Sequence, residues 1–265
     1  MAGVAISDLS LLLVEPSQTQ QKILLQHLRD ASVRQIEVAG SGAEVLAALT
    51  RQLPDVVIST FYLPDMTAAE LLLSIRQQPA WQNLPFMLVS SETRFERLDP
   101  LRQAGVVAIL PKPFSADDIA RALRASLHYI EPDELQLQAW DVKSLRVLVV
   151  DDSPLARKHI SRVLRDMGIE QITTAENGKQ GVAMFASATF DLVVTDYNMP
   201  EMDGRELVAA IRNRADGAYV PILMVTSEQD SARLDLVAQA GVSALCDKPF
   251  EPDAVRQMLR AVLDT

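Results

Sequence analysis

A single cysteine, Cys246, leaves this 265-residue chain no internal disulfide to form. Such sparse use fits a reducing compartment. Cations are scarce too: 25 Lys and Arg face 35 Asp and Glu, a net charge of −10. Nonspecific nucleic-acid binding needs Lys and Arg to displace phosphate counterions. No basic patch or recognition-helix arrangement stands out, so no direct nucleic-acid role is expected. The first ten residues lack the basic start, apolar centre and cleavage site of a leader. The longest apolar runs, such as Leu11–Val14 and Val147–Val150, are strand-sized and too short to span a bilayer. The expectation is a soluble, cytoplasmic protein with no membrane partner.

What the chain does have is a repeat. Adding 136 to Val14, Thr60, Pro64, Pro85, Ser90, Lys112 and Phe114 gives Val150, Asp196, Pro200, Pro221, Thr226, Lys248 and Phe250 (196 − 60 = 136; 248 − 112 = 136). Self-similarity at a fixed offset marks duplicated structural units. The framework residues match and the acids do not. Asp151-Asp152 faces Glu15-Pro16, and Asp196 faces Thr60. Charge is asymmetric as well: residues 1–130 carry 11 basic and 13 acidic side chains, or −2, and residues 131–265 carry 14 and 22, or −8. With 48% apolar residues, each half can bury a core.

Within each half, short β-branched runs alternate with helical spacings. In the second half the strands are Val147–Val150, Ile172–Thr174, Leu192–Val194, Ile222–Val225 and Ser243–Cys246. The helices are Pro154–Met167, Lys179–Ala186, Gly204–Arg214, Ser231–Ala240 and Pro252–Leu263, with Gly168 and Gly241 as stops. The first half follows the same path. Five alternations predict an α/β fold, a five-stranded parallel sheet with helices on both faces. We expect domains at 1–130 and 145–265. The linker, 131–144, is acidic and semi-apolar rather than Gly/Ser-rich. It is either a solvated strap or, through Trp140, packed on one domain.

In such sheets ligands bind beyond the carboxyl ends of the strands. Asp151 and Asp152 end the first strand of the second half, Asp196 the third and Thr226 the fourth; Lys248 follows the fifth. These residues, up to 97 positions apart (248 − 151), should share one mouth. Three converging carboxylates repel and call for a cation. Mg²⁺ prefers oxygen ligands. Lys248 adds a fixed positive charge, and Thr226 a hydroxyl for a phosphoryl oxygen. A carboxylate so placed can attack phosphorus and become an acyl phosphate.

Asp151-Asp152-Ser153, Thr195-Asp196-Tyr197-Asn198-Met199-Pro200, Met202-Asp203-Gly204, Val225-Thr226-Ser227-Glu228 and Asp247-Lys248-Pro249-Phe250 together resemble the receiver domain of two-component response regulators, the chemotaxis type above all. The resemblance covers residues 145–265. It implies two flavodoxin-like (βα)5 receivers in tandem. Asp196 would be the phosphoacceptor; Asp151, Asp152, Asp196 and the Asn198 backbone carbonyl the Mg²⁺ shell; Thr226 and Lys248 the phosphoryl-sensing pair. It also implies a cis Lys248–Pro249 bond, a donor phosphohistidine on a sensor kinase or phosphotransfer protein, and Asn198 with Glu228 tuning phosphoryl lifetime. The downstream protein target is not named by the sequence. Leu245 departs from the pattern, which often has an aromatic there. No turnover is expected beyond self-phosphorylation from a donor and autodephosphorylation.

The first half keeps Ser90 and Lys112-Pro113-Phe114, and Glu15 retains one carboxylate. Pro16 and Thr60 remove the second acid and the acceptor. An alcohol needs an adjacent base to attack, and no motif places one. We read this half as a pseudo-receiver kept for docking, for homodimerisation through its last helices, or for bracing its twin. Three other readings stand beside this one. The chain could be the regulatory fragment of a larger protein with an output domain such as a cyclic-dinucleotide synthase. It could be an interaction protein that is never phosphorylated. A metal-dependent phosphatase is the third, disfavoured because Asn198 stands where that chemistry places a second Asp. The bland readings are Asp203 as a helix cap, Met199 and Met202 as packing, and His27, His128 and His159 as helix-face residues.

Overall fold

The structure, a computed structural model, describes residues 4–138, 140–226, 241–248 and 250–264. The chain divides into two compact units, Met1–Pro132 and Asp133–Thr265. In the first, strands β1 (Ser10–Val14), β2 (Gln35–Ala39), β3 (Val56–Thr60), β4 (Phe86–Ser90) and β5 (Ala108–Pro111) alternate with helices α1 (Gln18–Asp30), α2 (Gly42–Arg51), α3 (Ala68–Gln77), α4 (Phe95–Gln103) and α5 (Ala116–Ile130). In the second, the strands are β6 (Arg146–Val150), β7 (Gln171–Ala175), β8 (Leu192–Asp196), β9 (Ile222–Thr226) and β10 (Ala244–Asp247). Its described helices are α6 (Pro154–Asp166), α7 (Gly178–Ser187), α8 (Gly204–Arg212) and α9 (Pro252–Leu263).

Both sheets are parallel. Their strand orders are β2-β1-β3-β4-β5 and β7-β6-β8-β9-β10. This is the flavodoxin-like order, in which chain direction across the sheet reverses beside the first strand. Strands β4, β8 and β9 are buried at every residue, apolar until the Ser90, Thr195-Asp196 and Thr226 that end them. The edge strands β2 and β7 are mostly exposed.

The repeat extends to the helix ends. The side chains of Ser17, Ser41 and Thr67 accept backbone N–H bonds at the starts of α1, α2 and α3; Ser153, Asn177 and Asp203 do the same for α6, α7 and α8 at positions 136 later. Each such cap contributes about 1 kcal/mol. Asp203 is therefore a cap, closing a capping box with Glu206. Two arginines are matched as well. Arg76 donates to the carbonyls of Leu84, Ala104 and Gly105, and Arg212 to those of Gly217, Val220 and Gly241. The chain turns beyond Arg212 to present those carbonyls, so α8 ends two residues before the expected Arg214.

Gly105 (φ 71°) and Gly168 (φ 97°) take the left-handed conformation their places as stops require, and Gly241 (φ 92°) takes it as well. Ser32, matched to Gly168, takes it too (φ 74°). The expected helix Ser231–Ala240 and Glu228 lie outside the described residues. So does the expected cis bond, since it involves Pro249. Its counterpart Lys112–Pro113 is cis.

The expected linker divides. Glu131 accepts a bond from Val4 N–H in the first unit at 2.8 Å. From Asp133 onward the chain lies on the second unit. Leu135 is buried, and its N–H donates to Met167 O at 2.9 Å. Gln138 N–H donates to Asp264 Oδ1, and Trp140 Nε1–H to Leu263 O, both at 2.9 Å. Arg256 donates to Asp133 O at 3.0 Å. Of the two readings of the segment, packing on one domain is the one observed. Among the described residues, no helix is long and apolar enough to cross a membrane.

Candidate functional site

Register places the strand ends of the second unit at one level: Val150 beside Thr195, Asp196 beside Val225, and Asp247 beside Thr226. Asp151 follows β6, Asp196 ends β8 and Thr226 ends β9. Lys248 N–H donates to Thr226 O at 2.8 Å, which fixes where its side chain starts. The Lys248 ammonium then stands 3.0 Å from Asp151 Oδ2 and 3.2 Å from Asp196 Oδ1. All three side chains are at most 4% exposed. Asp152 beside them is exposed, and one oxygen from each of Asp151, Asp152 and Asp196 lies within 4.8 Å of the others. Thr226 is 1% exposed. Asn198 lies two residues beyond Asp196 in the loop entering α8 and is exposed; Tyr197 between them is half-buried against the core. Leu245 packs on that core as well.

Burial dominates the electrostatics. It pushes Asp196 up to about 7, against the pull of Lys248 and with the push of Asp151. It raises Asp151 too, despite Lys248 and the Ser153 N–H that donates to it at 2.9 Å. Burial alone would lower Lys248, but the two carboxylates outweigh it and the ammonium is held above its ordinary value. One buried cation thus serves two buried acids, with a third acid at the rim. This donor set fits a hard divalent cation, which takes carboxylate and carbonyl oxygens and keeps water at its open positions. Asp151, Asp152, Asp196 and the Asn198 carbonyl are the residues available to hold it.

Two contributors escaped the sequence reading. Arg157 donates to the backbone carbonyls of Asp151, at 2.6 Å, and of Asp152, at 3.1 Å, and so fixes the acidic pair from below. Its place one turn into α6 was the available signal. Gly204 is the other. A Cβ there would meet Asp196 O at 2.2 Å and Tyr197 Cα at 3.0 Å, so only glycine lets α8 start this close to the acid.

The first unit brings together a different set. Glu15, 5% exposed, lies 3.7 Å from Lys112, whose side chain is 25% exposed and also donates to Gln20 Oε1 at 3.4 Å. Thr60 ends β3 half-buried, and Ser90 ends β4 buried. One acid and one cation pair off here, and no excess of carboxylate remains to call for a metal.

A family model described as the response regulator receiver domain matches residues 11–124 and again 147–260. Chemotaxis protein CheY-3 of Vibrio cholerae is 34% identical over 122 residues, 46% of this chain and 94% of that protein. Chemotaxis protein CheY1 of Helicobacter pylori is 36% identical over 122 residues, 46% of this chain and 98% of that one. Among solved structures, the chemotaxis response regulator CheY4 of Vibrio cholerae is 35% identical, covers 44% of this chain and 98% of its own, and aligns with a TM-score of 0.42. With both halves matched, the chain belongs to the response regulator receiver family and carries two receiver domains in tandem.

Proposed function

We propose that the second domain takes a phosphoryl group onto Asp196 and that the first does not. The observation that carries this is the placement of Lys248 between Asp151 and Asp196 in one domain, set against the lone Glu15–Lys112 pair in the other. The Asp196 carboxylate attacks the phosphorus of a phosphohistidine on a sensor kinase or phosphotransfer protein. An O–P bond forms, the N–P bond breaks, and the neutral imidazole leaves with a proton from solvent. Asp151, Asp152, Asp196 and the Asn198 carbonyl would hold Mg²⁺, and a divalent charge there would offset that of the transferred oxygens. Lys248 pairs with one phosphoryl oxygen and the Thr226 hydroxyl donates to another. The buried walls keep water from the acid before transfer.

The first domain, on this reading, serves docking, dimerisation or bracing. It lacks the acceptor carboxylate and the second metal ligand. The test is to incubate the full chain with Mg²⁺ and a small-molecule phosphodonor and weigh it. We expect one phosphoryl adduct, on the second half, lost in Asp196→Asn. An adduct on the first half, or none at all, contradicts the proposal.

A further inference from the structure

The two domains differ at a second place, away from the acids. In the first domain the loop between β3 and α3 is tied by side chains to the loop between β4 and α4. Tyr62 Oη donates to Glu92 Oε2 at 2.9 Å and accepts from Arg97 Nη1 at 2.8 Å. Arg94 forks onto the same carboxylate, Nε to Oε1 at 2.8 Å and Nη2 to Oε2 at 2.7 Å. The Arg97 guanidinium lies over the Tyr62 ring, 5.9 Å from its centroid. Although it sits in a loop, the Glu92 side chain is only 6% exposed. Charge-assisted bonds of this kind are the strong ones, and a satisfied network holds its members in one geometry. The Glu92 N–H also donates to Ser90 Oγ at 2.9 Å, so the hydroxyl matched to Thr226 already has a partner within its own loop. An isolated antiparallel bridge between Tyr62 and Thr67 closes the first loop on itself.

Position by position, the sequence of the second copy departs from this set. At an offset of 136, Tyr62 becomes Asn198 and Arg94 becomes Asp230, while Glu92 and Arg97 become Glu228 and Arg233. The phenol is lost, and the main counter-charge is replaced by another carboxylate. The copy without the acceptor acid carries the tie, while the sequence of the copy with the acid lacks its phenol and its main cation. In the second domain a phosphoryl group on Asp196 could join the end of β8 to Thr226 at the end of β9. In the first, protein side chains already join the matched loops.

We infer that Tyr62 and Glu92 form a built-in latch. It holds the two switch-position loops of the first domain in a single arrangement, whatever the state of magnesium or phosphodonor. The inference goes beyond the proposed function but rests on its reading of the first domain as inert. The latch takes the place of the ligand that the domain has lost.

Amide hydrogen exchange on the full chain tests it. Tyr62→Phe keeps the ring and removes only the hydroxyl of an exposed residue, so the fold is not at risk. We expect residues 61–67 and 91–97 to exchange roughly fivefold faster in the variant, the scale of one net hydrogen bond. Residues 56–60 should be unchanged. In the wild type, Mg²⁺ with a small-molecule phosphodonor should leave exchange at 91–97 unaltered. Unchanged exchange at 91–97 in Tyr62→Phe overturns the latch. So does a change there on adding Mg²⁺ and phosphodonor to the wild type. The mass assay above reads a different quantity, so failure of the inert-domain reading is distinguishable from failure of the latch.

Discussion

Asp196 and Lys248 stand 3.2 Å apart with neither side chain more than 4% exposed, and Asp151 competes for the same ammonium at 3.0 Å. A pair alone would be balanced. The triad carries one carboxylate too many, and in the folded state that excess is buried. Several properties of the second domain follow from this imbalance.

Its stability should fall as pH rises from about 4 toward 7. Asp196 titrates near 7 in the folded state, against an ordinary carboxylate value near 3.9 in the unfolded chain. Between those values the native state binds more protons than the unfolded one, so raising pH favours unfolding. Each pH unit over which one extra proton is held costs about 1.4 kcal/mol. Mg²⁺ replaces the proton as counter-charge and should flatten the slope, raising the melting temperature most at pH 8. Calorimetry of the full chain from pH 5 to 8, with and without Mg²⁺, reads this directly. The transition of the first domain should not respond to the metal; an equal shift in both transitions would contradict the contrast between them.

Lys248→Ala should destabilise the second domain by about 3–5 kcal/mol near pH 8 without metal, because two buried carboxylates lose their cation. At pH 5 the loss should shrink, since protonation now neutralises what the lysine did. The same substitution in the first domain, Lys112→Ala, removes a more exposed and looser contact and should cost about 1 kcal/mol or less. Melting at the two pH values separates electrostatics from packing. A pH-independent loss in Lys248→Ala would point to packing alone.

Gly204→Ala should damage phosphoryl uptake without touching a charged group. The added methyl carbon meets Asp196 O at 2.2 Å, so the backbone carrying the acid must move. Misplacement of a reacting group on this scale reduces rate by on the order of tenfold or more. The stability cost is about 1–3 kcal/mol. Ala68, the matched residue in the first domain, is buried, and its N–H still donates to Phe61 O at 2.8 Å. There the same loop has room for the methyl group. Uptake measured by mass against time in Gly204→Ala decides the matter, and an unaltered rate would show that the loop does not position Asp196.

The parallel sheet and the convergence of Asp151, Asp196, Thr226 and Lys248 were legible in the sequence because each rests on a local pattern, whereas the strand order, a non-local property, came only with the resemblance. Buried strands read as β-branched runs, and a parallel sheet then brings its strand ends to one edge. What was not legible depends on side-chain reach. Arg157 binds backbone carbonyls, which every residue has, so no partner motif reveals it. The Tyr62–Glu92 contact joins residues 30 apart across two loops. Only the replacement of Asn198 by Tyr62 in the repeat hinted at it. The helix ends shifted by one or two residues because caps and the guanidinium of Arg212, not apolar periodicity, set them.

The segment between the domains shows the same limit, and it carries the last prediction. Its composition allowed either a solvated strap or a packed one, since a Trp and two Leu among acids fit both. Packing is decided by whether backbone groups at the end of α9 need partners. The last carbonyls of a helix have none within it. Trp140 Nε1–H supplies one to Leu263 O, and Gln138 N–H engages the neighbouring Asp264 side chain. Leu135, 3% exposed, is buried with its N–H on Met167 O. Leu135→Ala should therefore lower the stability of the second domain by about 2–3 kcal/mol, as for other buried leucines. Trp140→Phe, which removes one hydrogen bond and keeps an aromatic ring, should cost about 1 kcal/mol. In calorimetry of the full chain, only the Mg²⁺-responsive transition should move in either variant. If neither transition moved, the segment around Leu135 and Trp140 would have to be reassigned as a tether, and if the other moved instead, as part of the first domain.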